Sequence, residues 1–490
     1  MKREIPKISQ RDSLRRKWML VALLGTISAV VVTSVYGSIK PLPANVSYEG
    51  REHRTDYVRF LEDHTYVSST ESQVVEQEIF DTVIRNIEEA DQFIVMDMFY
   101  FNSEHEAGAD FPPLTRRLSE ALINKKEADP DIEIVVLTDP VNTFYGAYTP
   151  EHFQRLEKSG IEVIFTELDA LRDSNPFYSG FYRTFVQWFG NHGRGWLPNF
   201  FTSDAPDVTL HSYLEILNFK ANHRKTLVTE KAGMVTSANP HDASGYHANT
   251  GFEVRGAVLK DLLKTEKEVV EMGGRSGEKF DSFISKVEVP EENGKYKVQL
   301  LTESKIKERV LREIRELPRD GKLRMGMFYL ADRDVIEALI GAAGRGADID
   351  IIMDINEEAF GNEKIGIPNQ PAAHELVEKS NGRINIRWYH ADGVQYHAKM
   401  MMMEKAEKTV VIGGSANMTR RNLDNYNLET DVVVTGSNDS EAVKDIRDYY
   451  HRLWNNTDGK HTLDYRRYKN DSRLLYWRYR LQEWSGMSSF

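Results

Sequence analysis

Two stretches of this 490-residue sequence hold residue types suited to phosphate chemistry, and they hold them at matching intervals. In "ANHRKTLVTE" (221–230), His223 precedes Lys225 by two positions and Glu230 by seven, and "TSAN" follows with Ser237 and Asn239. In "YHAKMMMMEK" (396–405), His397, Lys399 and Glu404 repeat that order, and "GGSAN" follows with Ser415 and Asn417. Two further acids, Glu253 and Glu429, stand in strand-like "GFEV" and "LETDVVV", 30 and 32 residues after the histidines. With 14 His and 63 Lys plus Arg, chance supplies roughly two His-x-basic pairs, so the pair alone means little. The longer pattern, occurring twice, does not arise that way. Its chemistry is that of a phosphodiester. One neutral imidazole attacks phosphorus while a second, protonated, hands its proton to the departing alkoxide. Lys225 and Lys399 set positive charge against the phosphoryl oxygens, with Ser237, Asn239, Ser415 and Asn417 as donors beside them. Glu253 and Glu429 are each expected to accept the far N–H of an imidazole and fix its tautomer. The lysines supply the charge that a metal would otherwise bring, so no metal or cofactor is expected.

Two histidines 174 positions apart (397 − 223) must be brought together by the elements around them. Those elements are also duplicated. "FIVMDMFYFN" (93–102) resembles "LRMGMFYLAD" (323–332), each after a helix-like stretch with apolar Val75, Ile79, Phe80, Val83 and Ile87 or Ile306, Val310 and Ile314. "IEIVVLTDPVN" (132–142) and "DIDIIMDINE" (348–357) read as buried parallel strands ending in Asp139 and Asp354. Helices around 113–127 and 333–343 complete a β-α-β rhythm, and "IEVIFTE" and "INIRWYH" supply a further strand pair ahead of each motif. "MMMM" at 400–403 reads as a buried strand. The expected organisation is two similar α/β halves, 45–270 and 295–460, joined by a linker at 271–294 and sharing one site.

Ahead of the halves, "WMLVALLGTISAVVVTSVY" (18–36) is uncharged and, at ~1.5 Å per residue, about as long as a bilayer's hydrocarbon core is thick. The segment 1–17 is basic, which predicts a cytoplasmic N-terminus and an extracytoplasmic catalytic region. A cleaved signal sequence is the alternative; the span is long for one, and Val35-Tyr36-Gly37 is a poor cleavage site. The absence of cysteine excludes disulfides and thiol nucleophiles. A formal charge of −12 disfavours a general nucleic-acid binder.

The doubled pattern resembles the phospholipase D superfamily, whose signature is His-x-Lys-x4-Asp followed by Gly/Ser-x-Asn, present twice. "NHRKTLVTE…TSAN" and "YHAKMMMME…GGSANMTRRNLDNYNLE" carry the resemblance, which covers essentially everything after the apolar segment. It implies an α/β fold of two pseudo-symmetric phospholipase D-like sandwich halves forming one active site, here behind a single N-terminal transmembrane helix, and a covalent phosphohistidine intermediate. The sequence departs from the signature at Glu230 and Glu404, where the family has Asp; an outer structural role is expected for both. The residues alone leave open which imidazole attacks, and resemblance to two-motif members favours His223 as nucleophile and His397 as acid.

Lipid is the expected substrate. The insert at 175–201 carries Phe177, Tyr178, Phe181, Tyr182, Phe185, Trp188, Phe189, Trp196, Phe200 and Phe201 with Arg183 and Arg194, and has no counterpart in the second half. It reads as an interfacial element or as a cap packed on the core. The tail at 461–490 mixes Arg with Tyr and Trp on an expected amphipathic helix, for anionic headgroups or for packing. His211, His241, His247 and His390 read as polar lining or surface residues. Length, anchoring and "NHRK" look like bacterial cardiolipin synthases, although those typically carry two N-terminal spans and one is visible here. The expectation is therefore phosphatidyl transfer, with phosphatidylglycerol favoured as substrate and no obligate protein partner. The alternatives are a hydrolytic phospholipase D and a metal-independent nuclease of the same family.

Overall fold

The computed structural model describes the chain except residues 1–9, 106–110, 192–193, 203–204, 290–293, 360–361, 364, 391–392 and 489. Part of the basic N-terminal segment, with Lys2, Arg3 and Lys7, thus lies outside the described residues. Among the described residues the chain builds two nine-stranded sheets. One runs Gly459–Lys460, Val58–Ser68, Asn249–Val254, Gly233–Thr236, Lys225–Thr229, Phe93–Met98, Glu133–Thr138, Glu162–Phe165, with Gln73–Glu76 beside Val58–Ser68. The other runs His53–Thr55, Tyr296–Thr302, Thr430–Ser437, Lys408–Gly414, Lys399–Glu404, Lys322–Met327, Asp348–Met353, Ile384–Tyr389, Thr462–Asp464. From Val58–Ser68 and Tyr296–Thr302 to Glu162–Phe165 and Ile384–Tyr389 the two orders match strand for strand, and Thr462–Asp464 extends the second sheet alone. Phe93–Met98 and Lys322–Met327 pair in parallel with Glu133–Thr138 and Asp348–Met353, as the β-α-β reading requires.

The apolar pattern explains the layers. Strands buried on both faces, such as Phe93–Met98 and "MMMM", send alternate side chains into two different cores. Helices Ile79–Glu89, Leu114–Ala128, Ser304–Arg315 and Arg333–Arg345 cover the outer faces. Between the sheets, Val228, Val235 and Phe252 share one core with Met400, Met402, Val411 and Val432. The approach is close at Gly413, where an added Cβ would stand 2.9 Å from the Phe252 ring, so a side chain there would force the layers apart.

Several expectations are corrected. Val75 belongs to the strand Gln73–Glu76, not to the helix that starts at Ile79. The 271–294 stretch contains a helix, Glu278–Lys286, whose Phe280 and Phe283 are fully buried and whose Phe283 stacks on Phe93 at 4.8 Å. The edge strands are exchanged: His53–Thr55 joins the sheet of the second half, and Gly459–Lys460 joins the sheet of the first.

The apolar N-terminal segment is a helix, Gln10–Ile39, long and apolar enough over Ser13–Ile39 to cross a membrane. It lies along the helix Pro176–Phe185 of the aromatic insert. Small residues set the contact. The Thr33 hydroxyl donates to the Gly180 carbonyl at 3.0 Å, and a Cβ on Gly180 would fall 1.9 Å from the Ser34 hydroxyl. The Asp173 N–H donates to the Gly37 carbonyl at 3.0 Å.

Candidate active site

Each motif begins where a strand starts, and a pair of backbone hydrogen bonds ties that point to the opposite half. The His223 N–H donates to Leu428 O (2.9 Å) and the Leu428 N–H to Ala221 O (2.9 Å). The His397 N–H donates to Ala248 O (2.8 Å) and the Ala248 N–H to Gln395 O (3.0 Å). Two parallel bridges, Asn222–Leu428 and Ala248–Tyr396, thus carry each histidine across the interface. The residue ahead of each histidine is also held by a strand-ending aspartate: Asp139 accepts from the Asn222 N–H and Asp354 from the Tyr396 N–H, both at 2.7 Å. Neither aspartate was expected at the site.

The imidazoles are oriented through Nδ1, leaving Nε2 as the nitrogen available for chemistry. His223 Nδ1 meets Glu429 Oε2 at 3.0 Å, and Glu429 also accepts from the Ser415 hydroxyl and the Asn422 amide. His397 Nδ1 meets Asn249 Oδ1 at 3.1 Å, and the same oxygen accepts from the Ser237 hydroxyl at 3.1 Å. The expectation for Glu253 is therefore corrected. Its carboxylate accepts from the Tyr57 hydroxyl (2.8 Å) and Arg85 (3.2 Å) instead. The strand register gives the reason. Ser237 exchanges backbone and side-chain hydrogen bonds with Thr250, and Ser415 does the same with Thr430, so the residues facing the imidazoles are those before these threonines, Asn249 and Glu429. The partner of His397 is a neutral amide, and that of His223 a carboxyl.

Glu230 and Glu404 are not brought to the site. Glu230 accepts from the Asp91 and Gln92 N–H groups, and Glu404 pairs with Arg447 at 3.2 Å. Seven residues of extended chain, roughly 20 Å, separate each from its histidine. Lys225 and Lys399 curl back to donate to the carbonyls of His223 and His397 at 2.7 and 2.8 Å. Each ammonium lies over a phenylalanine ring, Phe99 at 4.9 Å and Phe328 at 5.2 Å, and the same rings pack on His223 and His397. Among the described residues, Asn239 and Asn417 each keep a buried amide oxygen without a hydrogen-bond partner.

Burial controls the charges. Both imidazoles are held well below the ordinary histidine range, first by desolvation and then by the two lysines. Lys225 is pulled down to about 7 by burial, against the pull of Glu429; Lys399 is lowered by burial and by Lys225. These mutual effects place the four groups in one electrostatic cluster. Its positive charge is that of the two lysines, crowded out of water beside neutral imidazoles, an arrangement that an anion would stabilise. Of the other histidines, His247 packs near His397 at 6.4 Å, and burial lowers it to about 3, so it stays neutral as lining.

A family model described as "Cardiolipin synthase, PLD-like domain" matches residues 310–454, the stretch that holds the second motif. No curated protein matches the chain. Among solved structures, the chain resembles phosphatidylserine synthase of Haemophilus influenzae Rd KW20 at a TM-score of 0.55 and 9% identity, over 89% of this chain and 95% of that one. At that identity the likeness bears on the fold alone. Looser likenesses, on which nothing rests, are to polyphosphate kinase from Porphyromonas gingivalis (TM-score 0.44, 14% identity, 88% of this chain and 53% of that one) and to the phospholipase D family member Nuc from Salmonella typhimurium (TM-score 0.27, 22% identity, 34% and 97%).

Proposed function

We propose that the chain, whose residues 310–454 match a phospholipase D-like family model, is a cardiolipin synthase-like enzyme of the phospholipase D superfamily, transferring a phosphatidyl group from one phosphatidylglycerol to another through a phosphohistidine. The observation that carries this reading is the unequal backing of the two imidazoles. Burial pushes Glu429 well up, while Lys225 and the Ser415 and Asn422 hydrogen bonds pull it back; in its carboxylate form on Nδ1–H it makes His223 Nε2 the better nucleophile and stabilises the phosphoimidazolium that follows, whereas the amide of Asn249 gives His397 no such charge. His223 then attacks phosphorus, the bond to the leaving glycerol oxygen breaks, and His397 gives that oxygen its proton. The acceptor hydroxyl next returns a proton to His397, attacks the same phosphorus and releases His223. Lys225, Lys399, Asn239 and Asn417 face the oxygens, and Glu429, Asn249, Ser237 and Ser415 hold the imidazoles. His397 gains the proton it needs when the substrate's negative charge offsets the lysines beside it.

The lipid substrate is supported by the anchor. The aromatic helix lies against Gln10–Ile39 and leaves Phe177 and Phe181 exposed, followed by Trp188 and Phe189. Arg183 is not free for headgroups, because it forms a two-point ion pair with Asp173 at 2.7 and 2.9 Å. The helix Arg473–Ser485 of the tail buries Tyr479 and Glu483 and exposes Leu474, Trp477, Leu481 and Trp484 along one side. These surfaces suit a bilayer beside the anchor, with the N-terminus cytoplasmic and the catalytic halves outside. A hydrolytic phospholipase D would use the same residues with water as acceptor. Incubation of the full chain with phosphatidylglycerol vesicles and mass analysis of the products tests the reading. Cardiolipin with glycerol is expected; phosphatidic acid alone would make the enzyme hydrolytic, and no lipid turnover would contradict the lipid assignment.

A further inference from the structure

Arg421 is a buried cation that the mechanism above does not use. It stands four residues after Asn417; the residue four after Asn239 is Ala243, so only one half carries it. Its guanidinium lies over the Phe219 ring at 4.9 Å, which fixes its plane and covers one face. Nε and Nη2, the two nitrogens of the side-on edge, are both buried, and neither has a hydrogen-bond partner among the described residues. That edge is the one that grips a carboxylate or phosphate with two parallel hydrogen bonds. Among the described residues no acid comes within ion-pair distance of it. The carboxyl whose charge it feels most is Glu483, which spends one oxygen on the Arg420 N–H at 2.7 Å. Burial pushes Glu483 up to about 7, so it balances the guanidinium only in part, and the same burial pulls Arg421 down to about 10. A desolvated cation with an empty fork is costly unless an anion completes it.

The residues around it come from both halves. Tyr145 and Tyr329 both feel its charge, and Ser174, Tyr426 and Phe490 line with it a cavity of only about 10 Å³, room for one water, so a phosphate enters when these side chains part. Its field also reaches His223, as the smallest of several contributions and behind those of Lys225 and Lys399. Arg421 is therefore beside the reacting centre and not in it.

We propose that Arg421 anchors a second phosphate group, the phosphodiester of the acceptor lipid, so that the acceptor's hydroxyl is presented to the phosphohistidine. The assignment of that anion to a lipid rests on the transferase reading; the anion site itself does not. Tethering the acceptor through its own charge favours an alcohol over water at the second step, since it converts an encounter into a positioned reaction.

The test uses the full chain and its Arg421→Gln and Arg421→Lys variants in phosphatidylglycerol vesicles, with ethanol as a competing acceptor that has no phosphate. Arg421→Gln is expected to lower transfer to phosphatidylglycerol at least tenfold relative to transfer to ethanol, and Arg421→Lys to restore only part of it because a point charge cannot bind with two nitrogens. Equal loss with both acceptors, or loss with neither, would overturn the proposal. Calorimetry with inorganic phosphate separates this from the wider reading. The unsubstituted chain is expected to bind two phosphates and Arg421→Gln one, whether or not lipid is turned over; unchanged stoichiometry would remove the anion site itself.

Discussion

The difference between Glu429 and Asn249 gives the two imidazoles different work, and substitution can move it. Glu429→Gln keeps the hydrogen bond to His223 and removes the charge, so kcat is expected to fall about a hundredfold or more with little loss of thermal stability. Asn249→Asp places a carboxylate beside His397, where opposite charge favours the protonated form. His397 is held below the ordinary histidine range by burial and the lysines, and it must carry a proton to act as acid. Raising its pKa therefore extends activity upward, and the basic limb of the kcat/KM profile is expected to move to higher pH by about one unit. An unmoved limb would mean that His397 is not the acid. The motif histidines, lysines, serines and asparagines were legible from sequence because their types and intervals repeat. Asn249 was not, because matching by residue type slides to Glu253, four positions on, and only the pairing of Ser237 with Thr250 reveals the register.

Among the elements, the strand-ending aspartates hold the motifs in place. Asp139 accepts from the N–H groups of Val141 and Asn222, and Asp354 from those of Asn356 and Tyr396, all at 2.7 Å. Either Asp→Ala change strands two such donors, at a cost of about 1–3 kcal/mol for each one left buried and unpaired, and lets the following histidine drift. Urea denaturation and kcat are expected to fall together in both variants; an unaltered kcat would separate these residues from the site. The helix pair of anchor and insert has its own test. Gly180→Leu cannot fit against Ser34 and Val30, so it is expected to reduce turnover of vesicle lipid while sparing a small soluble phosphodiester. The β-α-β rhythm and the buried parallel strands could be read from apolar runs ending in Asp139 and Asp354. The strands His53–Thr55 and Gly459–Lys460 could not, because two or three residues carry no periodicity and their pairing is decided by the sheet edge they meet. The helix in the supposed linker was hidden by its Gly- and Glu-rich start, although Phe280 and Phe283 sit at the i, i+3 spacing of a buried helical face.

At the scale of the whole molecule, neither half is complete alone. Each sheet borrows an edge strand from the other half's stretch of chain, the two sheets share one core, and each histidine takes its Nδ1 partner from the opposite half. The two-fold likeness of the halves was visible as a doubled sequence, but this exchange was not, since it depends on contacts between positions some 150 to 390 residues apart, such as His397 with Asn249, His53 with Val298 and Gly459 with Ser68. The central claim is that two imidazoles from different halves act in turn on one phosphorus, with His223 attacking. Its most direct test is mass analysis of the His397→Asn chain, quenched in base shortly after mixing with phosphatidylglycerol vesicles. Formation slows without the acid, but release then lacks the base that takes the acceptor's proton, so the phosphatidyl adduct that forms is expected to persist on the peptide that contains His223, and His223→Asn is expected to accumulate none. An adduct that forms in the His223→Asn chain would contradict the account.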